Sequence, residues 1–140
     1  MAKKVRDLMT SQPIKLAGSS PISDAARLMR DKNVGVVIVE DNGRICGIVT
    51  DRDVTVRAIA EGRDPRTTSL GDICSKQLVT VSPDDDIDRA IQVMRDKAIR
   101  RVLVMDSRSQ AVGILSLGDL ARDRDSRSVL GQISAAPPNQ

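Results

Sequence analysis

The stretch Gly47-Ile48-Val49-Thr50-Asp51-Arg52-Asp53 returns 66 positions later as Gly113-Ile114-Leu115-Ser116-Leu117-Gly118-Asp119. In both copies a hydrophobic run passes through glycine and two apolar residues to a hydroxyl side chain, and an aspartate follows three residues on. Upstream, Met29-Arg30-Asp31-Lys32 returns as Met94-Arg95-Asp96-Lys97 at an offset of 65, so the second copy gains one residue near position 109. Residues 5–60 and 70–124 are thus two versions of one unit. One polar signature at the same place in each half implies a pseudo-twofold module with two related pockets. That is a binding architecture before it is a catalytic one.

Length and composition narrow the field. At 140 residues the chain forms one compact domain or two half-domains that share a core, since each half alone buries too little surface. It contains no Phe, Tyr, Trp or His, so the core is built from Val, Ile, Leu, Met and Ala. A bound base must therefore sit between aliphatic side chains, not on aromatic platforms. The net charge is +3, with acids and bases interleaved and no basic stripe, so nucleic acid is not the expected partner. No apolar run approaches the roughly 20 residues of a membrane span, and no hydrophobic segment follows the charged N-terminus, so a cytoplasmic location is expected. Cys46 and Cys74 have no zinc spacing and read as unreactive thiols; no metal site is expected.

The pattern predicts, in each half, a short helix, a strand, a helix, two strands and a helix. Val5 to Met9 opens the first half, and Ile14 to Leu16 is a short strand. Ser20 stands as helix N-cap with Pro21 at the first helical position; Ile22, Ala25, Ala26 and Met29 then form an apolar helix face. The second half repeats this at Ile87, Ala90, Ile91 and Met94, with Asp85 as the cap. The β-branched run Val34 to Val39 reads as a strand covered on both faces. Asp41-Asn42-Gly43 is a hairpin turn leading to a strand over Arg44 to Val49. Val102 to Met105 and Ala111 to Leu115 repeat the pair around the longer turn Asp106 to Gln110. Helices follow at Asp51 to Glu61 and from Leu117 to about Asp125. The expected organisation is a first repeat over 5–62, a linker over 63–69, a second repeat over 70–125 and a mobile tail over 126–140.

The hydroxyl-x-x-Asp unit carries the chemistry. Thr50 and Ser116 end their strands, and Asp53 and Asp119 fall in the first turn of the helices that follow. A helix start offers N–H groups and partial positive charge to an anion, and a neighbouring hydroxyl adds a donor. A carboxylate three residues on can accept from both hydroxyls of a ribose. Gly47 and Gly113 are expected to leave the backbone open beside the pocket. The plainer reading is that Ser, Thr and Asp at a helix start are caps.

The pattern resembles the cystathionine β-synthase (CBS) domain, and the chain as a whole resembles a tandem CBS pair, or Bateman module. The resemblance covers about residues 5–124 and rests on Val5-Arg6-Asp7-Leu8-Met9-Thr10, the Val34 to Val39 strand, Gly47 to Val54 and their second-half counterparts. It implies an α/β (α+β) fold of two β-α-β-β-α repeats packed with pseudo-twofold symmetry, small sheets covered by helices. It implies a regulatory module that binds AMP, ADP, ATP or S-adenosylmethionine between the repeats, with no obligatory cofactor and no catalysis. By resemblance Asp53 and Asp119 hold ribose, and Thr50 and Ser116 approach phosphate. Val34, Gly35 and Val36, with Ile99, Arg100 and Arg101 in the second half, line adenine and phosphate, while Ile14 and Val79 supply apolar and backbone contacts. Arg100-Arg101 marks the second pocket as the better phosphate site. A homodimer and an unidentified protein partner are the implied associations; a ligand-free scaffold is the alternative.

Overall fold

A computed structural model describes residues 3–124, and of Arg124 the backbone alone. The segment 126–140, expected to be a mobile tail, lies outside the described residues. The elements run α1 (Val5–Leu8), β1 (Thr10–Ser11), β2 (Lys15–Leu16), α2 (Ile22–Lys32), β3 (Val36–Asp41), β4 (Arg44–Thr50), α3 (Asp51–Asp53), α4 (Leu70–Ile73), β5 (Thr80–Val81), α5 (Ile87–Lys97), β6 (Arg101–Met105), β7 (Ala111–Ser116) and α6 (Leu117–Arg124). The helix begun by α3 continues over Val54–Ile59 with π winding, in which the Ala60 N–H reaches the Thr55 carbonyl five residues back at 2.9 Å.

Two compact units result, each with its own apolar core. A central unit spans Ile14–Leu78, and a terminal unit joins residues 3–13 with residues 79–124. In the central unit β2 lies parallel to β3 and β3 antiparallel to β4. Its core gathers Ile22 and Ala25 of α2, Val37, Val39 and Val49 of the sheet, and Leu70 of α4. The terminal unit repeats this as β5 parallel to β6 and β6 antiparallel to β7, with β1 added on the far side of β7. There Val5, Ile87, Ala90, Met94, Val102 and Leu115 fill the core. Val37, Ile38 and Val39 are all fully buried, as a strand covered on both faces requires.

The units are cut one element away from the sequence repeats, because the opening segment of each repeat is tied by backbone hydrogen bonds to the helix start of the other. Val5 N–H donates to the Asp85 carbonyl at 2.9 Å and Ile87 N–H to the Lys3 carbonyl at 3.1 Å. The same pair of ties recurs as Leu70 to Ser20 at 2.9 Å and Ile22 to Thr68 at 3.0 Å. These ties also shift the expected caps by one residue. Pro21, not Ser20, is the N-cap of α2, and Asp86, not Asp85, that of α5. Both are held extended in bridges, Pro21 with Ser69 and Asp86 with Lys4, so neither can enter the helix.

Past each helix start the opening segments run over the second hairpin strand, and this decides the glycines. A methyl group at Gly113 would lie 2.8 Å from the Thr10 carbonyl oxygen and closer still to the Met9 sulfur; one at Gly47 would collide with the Ser75 carbonyl. The expectation that these glycines open the backbone beside a pocket is therefore overturned. They admit another stretch of backbone, and the space is filled.

Hairpin geometry accounts for the extra residue of the second copy. Asn42 and Gly43 take φ of 53° and 77°, the mirror-image turn that Asn-Gly favours. The second turn is longer: Asp106 Oδ1 accepts from the N–H groups of Arg108 and Gln110, both at 2.9 Å. Each hairpin carries a bulge at the same place, with Cys46 and Val112 the unpaired residues. At the C-terminal ends of α2 and α5, Asn33 and Ala98 both adopt left-handed backbone, φ 55° and 54°. Asparagine takes this conformation readily, whereas alanine takes it at an energetic cost.

Gly113→Ala is expected to cost about 1–3 kcal/mol of unfolding free energy in urea titrations followed by circular dichroism, through overpacking against Thr10. Ala98→Gly is expected to stabilise by about 1 kcal/mol in the same assay, by relieving the left-handed alanine.

Candidate functional site

The strand-to-helix junction is built identically in the two units. Thr50 N–H donates to Asp53 Oδ2 at 2.9 Å, and Asp53 N–H donates to Thr50 Oγ1 at 3.1 Å. Ser116 N–H donates to Asp119 Oδ2 at 2.9 Å, and Asp119 N–H to Ser116 Oγ at 3.2 Å. Each junction is thus a reciprocal capping box, in which hydroxyl and carboxylate satisfy one another's backbone donors. The plainer reading of the motif is therefore correct as far as it goes. It does not exhaust the carboxylates, whose second oxygens face arginines: Asp53 Oδ1 lies 3.6 Å from Arg57 Nε, and Asp119 Oδ1 accepts from Arg122 Nη2. Asp119 is 8% exposed, the one buried charged residue among those described, so its charge relies on these partners.

The opening of the preceding strand is fastened to the same junction. Asp51 N–H donates to the Gly35 carbonyl at 3.0 Å, and Leu117 N–H to the Arg100 carbonyl at 2.8 Å. In the ladders Val36 stands opposite Thr50, and Arg101 opposite Ser116. The central unit therefore collects Gly35, Val36, Thr50 and Asp53 at one corner, and the terminal unit collects Arg100, Arg101, Ser116 and Asp119. Val34 and Ile99 precede these strands, each donating its N–H back to a helix methionine carbonyl, Met29 at 3.2 Å and Met94 at 3.0 Å. Ile14 and Val79 accept from Ile38 and Leu103 at 2.8 and 3.0 Å, and both pack partly buried on their unit's core. Those last two are tied to the sheet and the core, not to the capping box.

Sequence reasoning overlooked Arg57 and Arg122. Their spacing from the aspartates, four residues and three, was the available signal, since these are the helical distances at which side chains meet. The overlooked π winding has no comparable signature in the sequence.

The two thiols serve the framework of the central unit. The Cys46 thiol donates to Asp41 Oδ2 at 3.4 Å, and that hydrogen bond to a carboxylate, with burial adding to it, pushes its pKa up and away from thiolate formation. Asp41 Oδ1 accepts from Gly18 N–H at 3.0 Å. Cys74 is not within the short helix but caps its end, buried, with its thiol 3.6 Å from the Gly71 carbonyl. Among the described residues no group of three or more His, Cys, Asp or Glu converges as a metal site, and no helix is long and apolar enough to cross a membrane.

Comparison with known proteins gives a family and a fold. The family model for the CBS domain matches twice, at residues 5–58 and 70–125. The CBS domain-containing protein YhcV of Bacillus subtilis is 37% identical over 127 residues, spanning 91% of this chain and 89% of that protein. Hypoxic response protein 1 of Mycobacterium tuberculosis is 29% identical over 131 residues, spanning 93% and 91%. A crystal structure of hypoxic response protein I with two coordinated zinc ions superposes with a TM-score of 0.74 at 28% identity, covering 86% of this chain and 98% of that one. The CBS domain pair of protein MJ0100, solved with 5′-methylthioadenosine and S-adenosyl-L-methionine, superposes at 0.79 with 25% identity, covering 91% and 100%.

Because Ser116 Oγ is the acceptor for the Asp119 N–H, Ser116→Ala is expected to destabilise the protein by about 0.5–2 kcal/mol in the absence of any ligand. Urea denaturation of the variant beside Ser107→Ala, in an exposed turn, provides the measurement.

Proposed function

The chain belongs to the CBS domain family as a tandem pair, a regulatory module, and from that membership we propose that it senses an adenosine-type ligand (AMP, ADP, ATP or S-adenosylmethionine) and passes the signal to a protein partner. The observation that carries this reading is the duplicated corner: in both units a hydroxyl-x-x-Asp capping box is fastened by one backbone hydrogen bond to the opening of the neighbouring strand. A cap alone requires no such second copy of the surrounding residues.

In this reading Asp53 and Asp119 accept hydrogen bonds from ribose hydroxyls through Oδ1, the oxygen not committed to the backbone. Thr50 and Ser116 donate their hydroxyl protons toward phosphate, since each hydroxyl acts in the cap only as an acceptor. Val34, Gly35 and Val36 in the central unit, and Ile99, Arg100 and Arg101 in the terminal unit, border base and phosphate. Ile14 and Val79 set the depth of the sheet edge behind them. No aromatic residue is present to stack on the base, so selectivity rests on aliphatic packing and backbone hydrogen bonds. The complex of the MJ0100 pair with two adenosyl compounds supports this ligand class.

Signalling follows from linkage. A ligand that binds only the folded protein stabilises the arrangement it binds, and a partner that reads that arrangement responds. We place this activity in the cytoplasm, in a homodimer, for which Val56 and Ile59 on the π-wound helix offer exposed apolar surface. The competing reading is a ligand-free scaffold. The completeness of both capping boxes favours it, because the motif residues already have a structural use.

Calorimetry of the full chain against AMP, ADP, ATP and S-adenosylmethionine separates the two. Micromolar binding is expected, with Asp119→Ala abolishing it at one site per chain and Asp53→Ala at the other. Silence from all four ligands, with the far-ultraviolet circular dichroism of folded protein, selects the scaffold.

A further inference from the structure

The opening segment, residues 3–11, is joined covalently to the rest of its unit only by way of the other unit: the chain leaves at Pro13 and returns at Val79. It is an arm laid on a seat formed by residues 79–124. Val5 is fully buried in the core of that unit, and Leu8 and Met9 pack against it. Beside the ties of Val5 and Ile87, Arg6 N–H donates to the Pro83 carbonyl at 3.1 Å, and Thr10 and Ser11 pair with Ile114 and Gly113. The ion pairs all run in one sense. Lys4 Nζ lies 2.8 Å from Asp86 Oδ1, Lys3 pairs with Asp123 and Arg6 with Asp84, so in each the cation is on the arm and the anion on the seat. Asp7, the acid of the arm, turns back to accept from Lys4 N–H at 2.9 Å.

The hinge of this arm is strained, and its counterpart in the second repeat is not. Gln12 has φ of 54°, a left-handed conformation that a residue with a β-carbon enters at a cost. Proline pushes the residue before it toward extended backbone, so Pro13 opposes the same conformation. Gln12 is exposed, and packing in a core does not offset the cost. Anchorage on both sides imposes it instead: β1 is paired to β7, and the Ile14 carbonyl accepts from Ile38 N–H at 2.8 Å. The equivalent residues of the second repeat are Gln77 and Leu78, and Gln77 is not among the residues of positive φ. Detaching the arm lets Gln12 extend but uncovers Val5. A second copy offers the same acidic seat, and an arm seated there keeps its contacts with the hinge extended.

We propose that residues 3–11 of one chain seat on the terminal unit of a second copy, whose arm returns, giving a reciprocally exchanged dimer hinged at Gln12-Pro13. The strand that ends in Ser116, β7, is then flanked by β1 of the other copy. This contact is separate from the exposed Val56 and Ile59 surface and requires no ligand.

Sedimentation velocity and native mass spectrometry on the full chain test it. Wild-type protein is expected to show monomer and dimer in slow exchange, because arms must detach before they trade places. Gln12→Gly is expected to weaken dimerisation about tenfold, since the two hinges of a dimer then close without the left-handed cost. Gln12→Val is expected to strengthen it, a β-branched residue being least suited to positive φ. Mixing two charge-reversed chains reads the arm directly. One carries Lys4→Glu and Arg6→Glu, the other Asp84→Lys and Asp86→Lys; all four positions are exposed. Each chain alone sets like charges on arm and seat, and only a mixed dimer with exchanged arms pairs opposite charges on both. The mixed species is expected to exceed the share of about half that random pairing gives, and Gln12→Gly in both chains to reduce that excess. Dimerisation indifferent to both Gln12 substitutions, or a mixed species at the random share, overturns the proposal. So does a wild-type chain that stays monomeric at every concentration, or a dimer abolished by Val56→Asp with Ile59→Asp yet unmoved by Gln12→Gly. Calorimetry with adenosyl ligands reads the sensing function separately, so either proposal can fall without the other.

Discussion

Each strand-to-helix junction turns on one reciprocal pair of hydrogen bonds, Thr50 with Asp53 and Ser116 with Asp119, and the rest of each corner is arranged around it. The pair ends a strand and starts a helix in the space of four residues. It fixes the aspartate by the backbone on one oxygen, so the other oxygen is presented at a defined place. It also turns the hydroxyl oxygen inward as an acceptor while leaving its proton free to donate outward. In the proposed reading, cap and binding group are thus the same atoms in different directions. Loss of binding on substitution therefore mixes a structural cost with a chemical one, which is why stability without ligand has to be measured alongside affinity.

A second constraint lies behind the first. The corner keeps its shape only if the hairpin strand that feeds it is held down, and the opening segment of the other repeat does this by crossing Gly113 or Gly47. Neither repeat can complete its own unit, because the ties run from Val5 to Asp85 and from Leu70 to Ser20. Duplication and exchange of the opening segment are consequently one design. The repeat is the inherited unit of sequence, and the exchanged unit is what packs a core.

What could be read from the chain was whatever depends on neighbours in sequence. The helix faces at Ile22 to Met29 and Ile87 to Met94, the Asn42-Gly43 turn, the β-branched run ending at Val39 and the hydroxyl-x-x-Asp junctions all declare themselves by short periods or by turn chemistry. The readings that failed depend on a distant partner. Ser20 and Pro21 have the composition of a cap and a first helical residue, yet the bridge to Ser69 pulls Pro21 out of the helix. Gly47 and Gly113 look permissive in isolation and turn out to be crossing points. The two-residue strand β1 exists only because β7 is beside it, so no local pattern marks it. At the site, the residues carried by the motif came together, whereas Arg57 and Arg122 were missed because each side chain meets the carboxylate only after the helix has wound.

Divergence between the copies is concentrated where the fold is indifferent to it. Asp51 and Leu117 are both exposed, and Arg52 and Gly118 sit outside the cores, so any residues there would allow the helix to start. Val36 and Arg101 occupy the same rung of their ladders, and each pairs through backbone groups whatever its side chain. Stability thus places no demand on charge at these positions. The charges do not change in one direction: Asp51 and Val36 give way to Leu117 and Arg101, while Arg52 gives way to Gly118. Packing does not dictate these replacements, since the side chains concerned are in neither core. The copies thus share a framework kept constant by its caps and crossing glycines, and diverge at the exposed residues set on it.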